Sequence, residues 1–140
     1  MLQSIHSTLA YAVLAVLVLA IINAFLGLSA KRNFTSKDRS VSLIALIFSH
    51  IQLVVGIVLW IESPLGKAAL SQMSNSALRL TALEHPLINI IAIVVITIGW
   101  SKHKKEESSN GKFKKIGIFY VLGLIFLVSR VPFKHWLGLA

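Results

Sequence analysis

The sequence predicts an all-α membrane protein, a bundle of four transmembrane helices that run alternately up and down, with both termini outside. Three observations lead to this fold class. The 140 residues are 56% hydrophobic and only 14% charged, a balance typical of polytopic membrane proteins. Four long apolar runs alternate with short polar segments, and four spans of about 20 residues use most of such a chain. The cations are concentrated in the polar segments between the runs.

The predicted spans form a single domain and cover residues 5–28, 41–61, 77–101 and 116–132. No Lys or Arg precedes the first run, and it is longer than the 7–15 apolar residues of a secretory signal, so we interpret it as an uncleaved helix. In the third span, Asn75 or Ser76 can cap a helix that already includes residues 77–83. Pro86 would then lie inside this helix and kink it, which membrane helices tolerate.

The cations predict the orientation. Ten of them lie in the loops after the first and third spans: Lys31, Arg32, Lys37, Arg39, Lys102, Lys104, Lys105, Lys112, Lys114 and Lys115. The opposite side carries four: Lys67, Arg79, Arg130 and Lys134. By the positive-inside rule the ten face the cytoplasm. We interpret the net charge of +9 as a determinant of topology and a contact for anionic lipid headgroups, not as a nucleic-acid-binding feature.

Three histidines fall on three different predicted helices, in the outer half of the bundle: His6, His50 and His85. His6 is close to the outer face. At about 1.5 Å per residue, His50 lies roughly 15 Å below that face when measured from Trp60. His85 lies about 8 Å below it when measured from Trp100 across a core of about 30 Å. Ionisable residues at such depths indicate a functional site.

Neutral imidazoles that project from facing helices are axial ligands for haem iron, and the core of a helix bundle is a common place to hold haem. Two pairings are open. His50 and His85 differ by about 7 Å in depth, which helix tilt and a kink would have to absorb. His6 and His85 are closer in depth, but they lie on the first and third helices, which are diagonal in a simple bundle. We expect His103 and His135, in the inner loop and the outer tail, to be solvated or interfacial.

Other polar residues surround these histidines. Arg79 and Arg130 lie above them and can pair with the two propionates of a haem, or can be ordinary interfacial anchors. Glu84, Asn89 or Gln52 can fix the tautomer of a ligand imidazole by a hydrogen bond. Glu84 can instead pair with either arginine. The chain has no cysteine, which excludes disulfides, thiolate metal sites and covalent haem attachment through CxxCH.

Several short motifs carry a resemblance: IHS at 5–7, SHIQ at 49–52, EHP at 84–86 and SKHKK at 101–105. Over nearly its whole length the chain resembles a family of small four-helix bacterial membrane proteins commonly labelled cytochrome b. The resemblance implies a non-covalently held haem b, electron transfer as the role, and the bacterial cytoplasmic membrane as the location. It also implies that two of His6, His50 and His85 ligate the iron.

Three function classes remain open. The first is a haem-binding electron-transfer protein or subunit, with a quinone or a redox complex as partner. The second is a proton-relay or transport component whose histidines titrate near neutral pH. The third is a structural accessory subunit in which polar residues hold helices together. The chain has no nucleophile–base pair, HExxH motif or glycine-rich phosphate loop, so we expect a carrier or subunit and not a stand-alone catalyst.

Overall fold

The computed structural model describes residues 1–137, apart from the side chain of His135, and the regular structure of this range is entirely helical. The helical elements in chain order are α1 (Leu2–Ser29), α2 (Ser36–Glu62), a 3₁₀ helix (Lys67–Gln72), α3 (Ser76–Arg79), a π turn (Leu80–Glu84), α4 (His85–Lys105), α5 (Ser109–Ser129) and α6 (Phe133–Trp136). The prediction of an all-α fold is therefore confirmed.

The four long helices pack side by side. Helix α1 contacts α2 and α5, and α4 contacts α5 and α2, so α1 and α4 face each other across the diagonal. At one end the Phe34 amide donates to Ser109 Oγ at 2.8 Å and joins the α1–α2 loop to the start of α5. At the other end the Trp136 indole donates to the Ser7 carbonyl at 3.2 Å. Consecutive long helices are therefore antiparallel.

The core lies between α1, α4 and α5. Leu17, Ile96, Ile116 and Tyr120 are fully buried there, and the Tyr120 hydroxyl donates to the Ser42 carbonyl of α2 at 2.8 Å. The close approach of α4 and α5 depends on Gly123, because a Cβ at this position would collide with Ile96. Small residues at such contacts are typical of helix packing in membranes, where backbones approach closely.

Three helical segments are long and apolar enough to cross a membrane within the described range: Leu2–Ser29, Ser36–Glu62 and Ser76–Lys105. Large apolar side chains such as Leu19, Val54 and Val94 are exposed on these helices, which suits contact with lipid. Helix α5 differs because lysines occupy its first two turns. Its uncharged part, residues 116–129, extends roughly 21 Å at 1.5 Å per residue, less than the thickness of a bilayer core.

The third long helix is continuous from Ser76 to Lys105, and it ends four residues beyond the predicted end at residue 101. Asn75 caps it, since its side-chain oxygen accepts hydrogen bonds from the amides of Ala77 and Leu78. The irregularity at Pro86 takes the form of the π turn, which ends just before His85. Proline has no N–H to donate to the carbonyl four residues earlier, that of Ala82. The Trp60 indole on α2 donates to this carbonyl instead, at 2.7 Å.

A buried polar cluster fixes the turn between α1 and α2. Asp38 is only 3% exposed and closes a capping box with Thr35 at the start of α2. Its carboxylate accepts two hydrogen bonds from the Arg32 guanidinium, at 2.8 and 2.9 Å, and one from the Asn23 amide at 2.9 Å. A buried carboxylate is stable when it is paired in this way. Asn23, the polar interruption of the first apolar run, therefore has a structural role.

Candidate functional site

A cavity of about 510 Å³ lies between α1, α2 and α4, at the bundle end that carries the N-terminus. Its walls are mainly apolar, and its polar lining includes His6, Gln52, His85 and Asn89. This volume is within the range of about 300–1,000 Å³ that ligand pockets have. A few polar groups in an apolar cavity are the usual form of a ligand site.

His6 and His85 face each other at this cavity. Their ring centroids lie 6.3 Å apart and the ring planes are inclined by 76°. His6 comes from the first turns of α1, and His85 from the point where the π turn passes into α4. The two rings thus come from diagonal helices, and of the two pairings that the sequence leaves open, the structure brings this one together.

Both ring nitrogens of His85 have partners. Nδ1 lies 3.1 Å from the carbonyl oxygen of Arg130 at the end of α5, and Nε2 lies 3.0 Å from the amide nitrogen of Asn89. A carbonyl can only accept, so Nδ1 carries the proton and donates it to Arg130. Nε2 is then unprotonated and accepts from Asn89. In this arrangement the lone pair of the neutral imidazole is on Nε2.

His6 is held less completely. The Gln52 amide nitrogen donates to the backbone carbonyl of His6 at 2.9 Å and fixes the position of this turn against α2. Gly56 leaves room for the ring, since a Cβ there would lie 3.1 Å from Cε1 of His6. The His6 and Gln52 side chains are close enough to interact, but His6 Nδ1 and Gln52 Oε1 form no hydrogen bond of good geometry.

Three buried side-chain atoms in the described part of the chain lack a hydrogen bond: His6 Nδ1, Gln52 Oε1 and Asn89 Oδ1. All three residues line the same cavity. Buried polar atoms are nearly always paired, and an unpaired one costs roughly 1–3 kcal/mol. Their concentration in one apolar cavity indicates a site that a ligand or ordered water completes.

The arginines predicted above the histidines share a carboxylate. Glu84 Oε2 lies 2.8 Å from Arg79 Nε, and Glu84 Oε1 lies 3.4 Å from Arg130 Nε. Arg79 and Glu84 are five residues apart, and the wider period of the π turn brings the two side chains onto one face of the helix. The sequence left open whether Glu84 pairs with Arg79 or with Arg130, and it pairs with both. The two guanidiniums thus bind the residue that precedes His85, and each already has this acidic partner.

His50 lies away from the cavity. Its ring is exposed on α2, with Nδ1 2.8 Å from the Leu46 carbonyl and Nε2 3.4 Å from Thr97 Oγ1 of α4. Thr97 is twelve residues beyond His85, so it lies roughly 18 Å farther along α4. The pairing of His50 with His85, which rested on an offset of about 7 Å, is therefore not formed. The depth of His85 was measured from Trp100 and was wrong. Trp100 is buried, 7% exposed, and does not mark a helix end at an interface.

His103 is also placed differently from the expectation. It is 2% exposed in the last turn of α4, where its ring packs between Phe34 and Trp100 and its Nδ1 contacts the Trp100 carbonyl. The expectation of a solvated loop residue was wrong, because α4 extends to Lys105 and turns this side chain inward. His103 is eighteen residues from His85 and takes no part in the cavity. The expectation for His135 concerns a side chain outside the described part.

The sequence matches no protein-family model, and neither a curated protein nor a solved structure is similar to it. The resemblance to the cytochrome b-labelled family therefore stays a prediction. Within residues 1–137, no three His, Asp or Glu side chains gather closely enough to hold a bare metal ion. The arrangement is instead a pair of imidazoles facing an apolar cavity.

Proposed function

We propose that the cavity holds haem b with His6 and His85 as the axial ligands, and that the protein carries electrons in the bacterial cytoplasmic membrane. The separation of the two ring centroids, 6.3 Å, carries this proposal. Metal–imidazole bonds are about 2 Å long, and each ring centroid lies about an ångström beyond its nitrogen. Two imidazoles in line on one iron would therefore have centroids roughly 6 Å apart.

The hydrogen bonds of His85 support the same assignment. Ligating histidines generally donate the second ring N–H to a carboxylate or backbone carbonyl, and His85 donates Nδ1–H to the Arg130 carbonyl. The lone pair left for the metal is on Nε2, on the side of Asn89. On ligation, the Asn89 amide would give up this contact. His6, whose Nδ1 lacks a hydrogen bond, is free to settle its tautomer when it ligates.

When bound, haem supplies a one-electron couple whose potential depends on its ligands and surroundings. The chain's own residues orient the two imidazoles and surround the cavity with mainly apolar walls. Next to the cavity-lining His85 in the sequence, Glu84 pairs with both Arg79 and Arg130, and the three side chains together carry a net positive charge of one. We propose that this excess charge attracts the propionates, so that both arginines serve as anchors for the cofactor.

We also propose that α5 is the fourth span, with both termini outside. The ten cations that the sequence places on the cytoplasmic side gather at one end of the bundle, because the hydrogen bond from Phe34 to Ser109 joins the α1–α2 turn to the start of α5. The shortness of the uncharged part of α5 is compatible with a span, since Lys112, Lys114 and Lys115 can extend towards headgroups. A quinone or a redox complex is the proposed partner.

A structural accessory role is the second candidate, and one observation favours it. His85 already has hydrogen bonds at both nitrogens, from helices α4 and α5, as a histidine does when its task is to join helices. In that role the cavity would be filled by lipid or water. The proton-relay alternative rests on the same histidines and has no separate observation in its favour.

The experiment is a haem titration of the full chain. Protein made with ample haem supply and purified in detergent should show a Soret band, with about one haem per chain. The iron should be low-spin and six-coordinate, because two neutral imidazoles give a strong axial field. Protein that shows no Soret band, and takes up no haem when it is added, would refute the haem proposal and leave the structural role.

A further inference from the structure

We infer that Arg39 of α2 and Lys104 of α4, which gather over the indole of Trp100, bind the phosphate of an anionic phospholipid at the cation-rich end of the bundle. The net charge of the sequence indicates a general attraction to anionic lipid, whereas the structure singles out one place and three side chains. None of the three lines the cavity between α1, α2 and α4, so the site needs the proposed insertion in a membrane but not the haem.

Two cations from different helices lie over the ring of Trp100. The guanidinium carbon of Arg39 is 5.2 Å from the ring centroid, and Nζ of Lys104 is 6.0 Å from it. Lys104 follows Trp100 by four residues, which places both on one face of α4. Arg39 follows the buried Asp38, and successive residues of a helix point about 100° apart, so the capping box that turns Asp38 inward leaves Arg39 free to reach α4.

Neither cation has an acidic partner in the described part of the chain. Asp38, next to Arg39, is bound to Arg32, and the carboxylate two residues after Lys104 pairs with Lys115. Both side chains are exposed, so a ligand can reach them. Two cations that are held close together without a counter-charge repel each other. An anion bound by both would remove this repulsion.

The indole of Trp100 adds a donor that the protein does not use. The indoles of Trp60 and Trp136 donate to backbone carbonyls, whereas the indole of Trp100 has no hydrogen bond within residues 1–137. Trp100 is only 7% exposed, and the N–H of a buried indole usually has a partner. An unpaired N–H on the same ring that two cations cover favours a ligand with anionic oxygens.

A phosphate group suits these three donors. A guanidinium can bind two phosphate oxygens at once, and an ammonium binds phosphate as a point charge. Basic pockets between membrane helices on the cytoplasmic side are typical sites for anionic headgroups. A choline or ethanolamine headgroup carries its own cation, which Arg39 and Lys104 would repel. The ligand is therefore a phospholipid whose headgroup is uncharged apart from the phosphate, as in phosphatidylglycerol.

The position favours a lipid over a free anion. The site lies at the bundle end that the proposed topology places at the cytoplasmic headgroups. Exposed isoleucines continue from this end along both helices, Ile44 and Ile47 on α2 and Ile98 on α4. Of the neighbouring pairs of long helices, α2 and α4 pack least extensively. Acyl chains can therefore lie against both helices while the phosphate stays at the cations.

The test titrates the full chain, labelled with ¹⁵N at tryptophan, in maltoside micelles at about 0.15 M salt. The probe is a short-chain phosphatidylglycerol, and phosphatidylcholine with the same acyl chains is its matched control. The indole signal of Trp100 is assigned by its loss in Trp100→Phe or, if this variant does not fold, through the backbone assignment. This signal should shift saturably with phosphatidylglycerol and not with phosphatidylcholine.

A pair of double variants tests the two cations. Arg39→Gln with Lys104→Gln should weaken the binding of phosphatidylglycerol about tenfold or more, because two charged contacts are lost. Lys37→Gln with Lys105→Gln removes the same charge from exposed positions nearby and should weaken binding less than about threefold. All four side chains are exposed, so both proteins should fold.

Three results would overturn the inference. An equal shift with phosphatidylcholine, or no shift with either lipid, would mean that the site does not select an anionic headgroup. Equal weakening in the two double variants would indicate a general effect of net charge. Saturation of the Trp100 signal by inorganic phosphate at the same concentration would indicate a site for a free anion. Failure of haem binding would be seen separately, in the Soret band, and would leave the lipid titration unchanged.

Discussion

The Trp60 indole donates a hydrogen bond to the Ala82 carbonyl at 2.7 Å, and Ala82 is the residue whose carbonyl Pro86 leaves without an amide partner. A tryptophan at the end of α2 thus completes the backbone of the third long helix beside the cavity. His85 lies between Ala82 and Pro86 in the sequence, one residue before the proline. The position of this histidine therefore depends on a contact between two helices.

Trp60→Phe should destabilise the protein by about 1–3 kcal/mol, because it leaves the buried Ala82 carbonyl unpaired. Pro86→Ala restores an N–H four residues after Ala82, so the double variant should recover part of the loss. The measurement is denaturant unfolding in detergent, treated as a double-mutant cycle. If Trp60→Phe lowers the free energy of unfolding equally in the protein with Pro86 and in the Pro86→Ala variant, the two positions are not coupled.

Asp38→Asn should also destabilise the fold, by about 1–3 kcal/mol, because Arg32 loses a buried bidentate partner and α2 loses part of its capping box. Glu107→Gln is the matched control, since Glu107 is exposed and has no ion pair in the described part of the chain. The same unfolding measurement compares the two. A loss of equal size in both variants would indicate a general effect of net charge.

Single cysteines test the orientation. At Ser36 and Asn110, both exposed at the cation-rich end, a cysteine should be shielded from an impermeant thiol reagent in intact cells. At Ser71, exposed in the 3₁₀ helix of the opposite end, it should react. The protein has no native cysteine, so only the introduced thiol reacts with the reagent. The reverse pattern would invert the proposed topology, and labelling at all three sites would argue against a membrane-spanning arrangement.

Glu84→Gln should raise the midpoint potential of haem-loaded protein, because removal of a negative charge beside His85 favours the reduced iron. The control is Glu106→Gln, which removes the same charge at the opposite end of the bundle, where Glu106 faces Lys115. Spectroelectrochemical titration measures both. A lower potential in Glu84→Gln, or the same shift in both variants, would show that Glu84 and its two arginines do not act on the cofactor.

The sequence was sufficient for the helices because long apolar runs and their caps are local features. The sequence predicts that Asn75 or Ser76 starts the third helix, and the structure places Asn75 as the cap. The sequence was insufficient where position depends on how helices slide against each other. Depths measured from Trp60 and Trp100 put His50 too close to His85, since nothing local reveals that Trp60 lies level with Ala82. The burial of His103 likewise follows from packing against Phe34 of another segment.

Gln52 and Asn89 illustrate the same limit within the site. The sequence indicates that each can hold an imidazole, because Asn89 follows His85 by one helical turn. It does not indicate that Gln52 holds the backbone of His6, or that the Arg130 carbonyl, and no side chain, receives the proton of His85. Backbone acceptors have no sequence signature. Such partners emerge only when the ends of α1, α2 and α5 are placed together.

The visible spectrum of three histidine variants tests the central claim most directly. His85→Ala and His6→Ala should each give haem-free or high-spin protein, because each removes one of two axial ligands that face the same cavity. His50→Ala should leave a low-spin spectrum, since His50 lies outside the cavity and contacts Thr97, which is roughly 18 Å beyond His85 along α4. Retention of a low-spin haem in His6→Ala together with its loss in His50→Ala would contradict the account, and would place the cofactor away from the cavity.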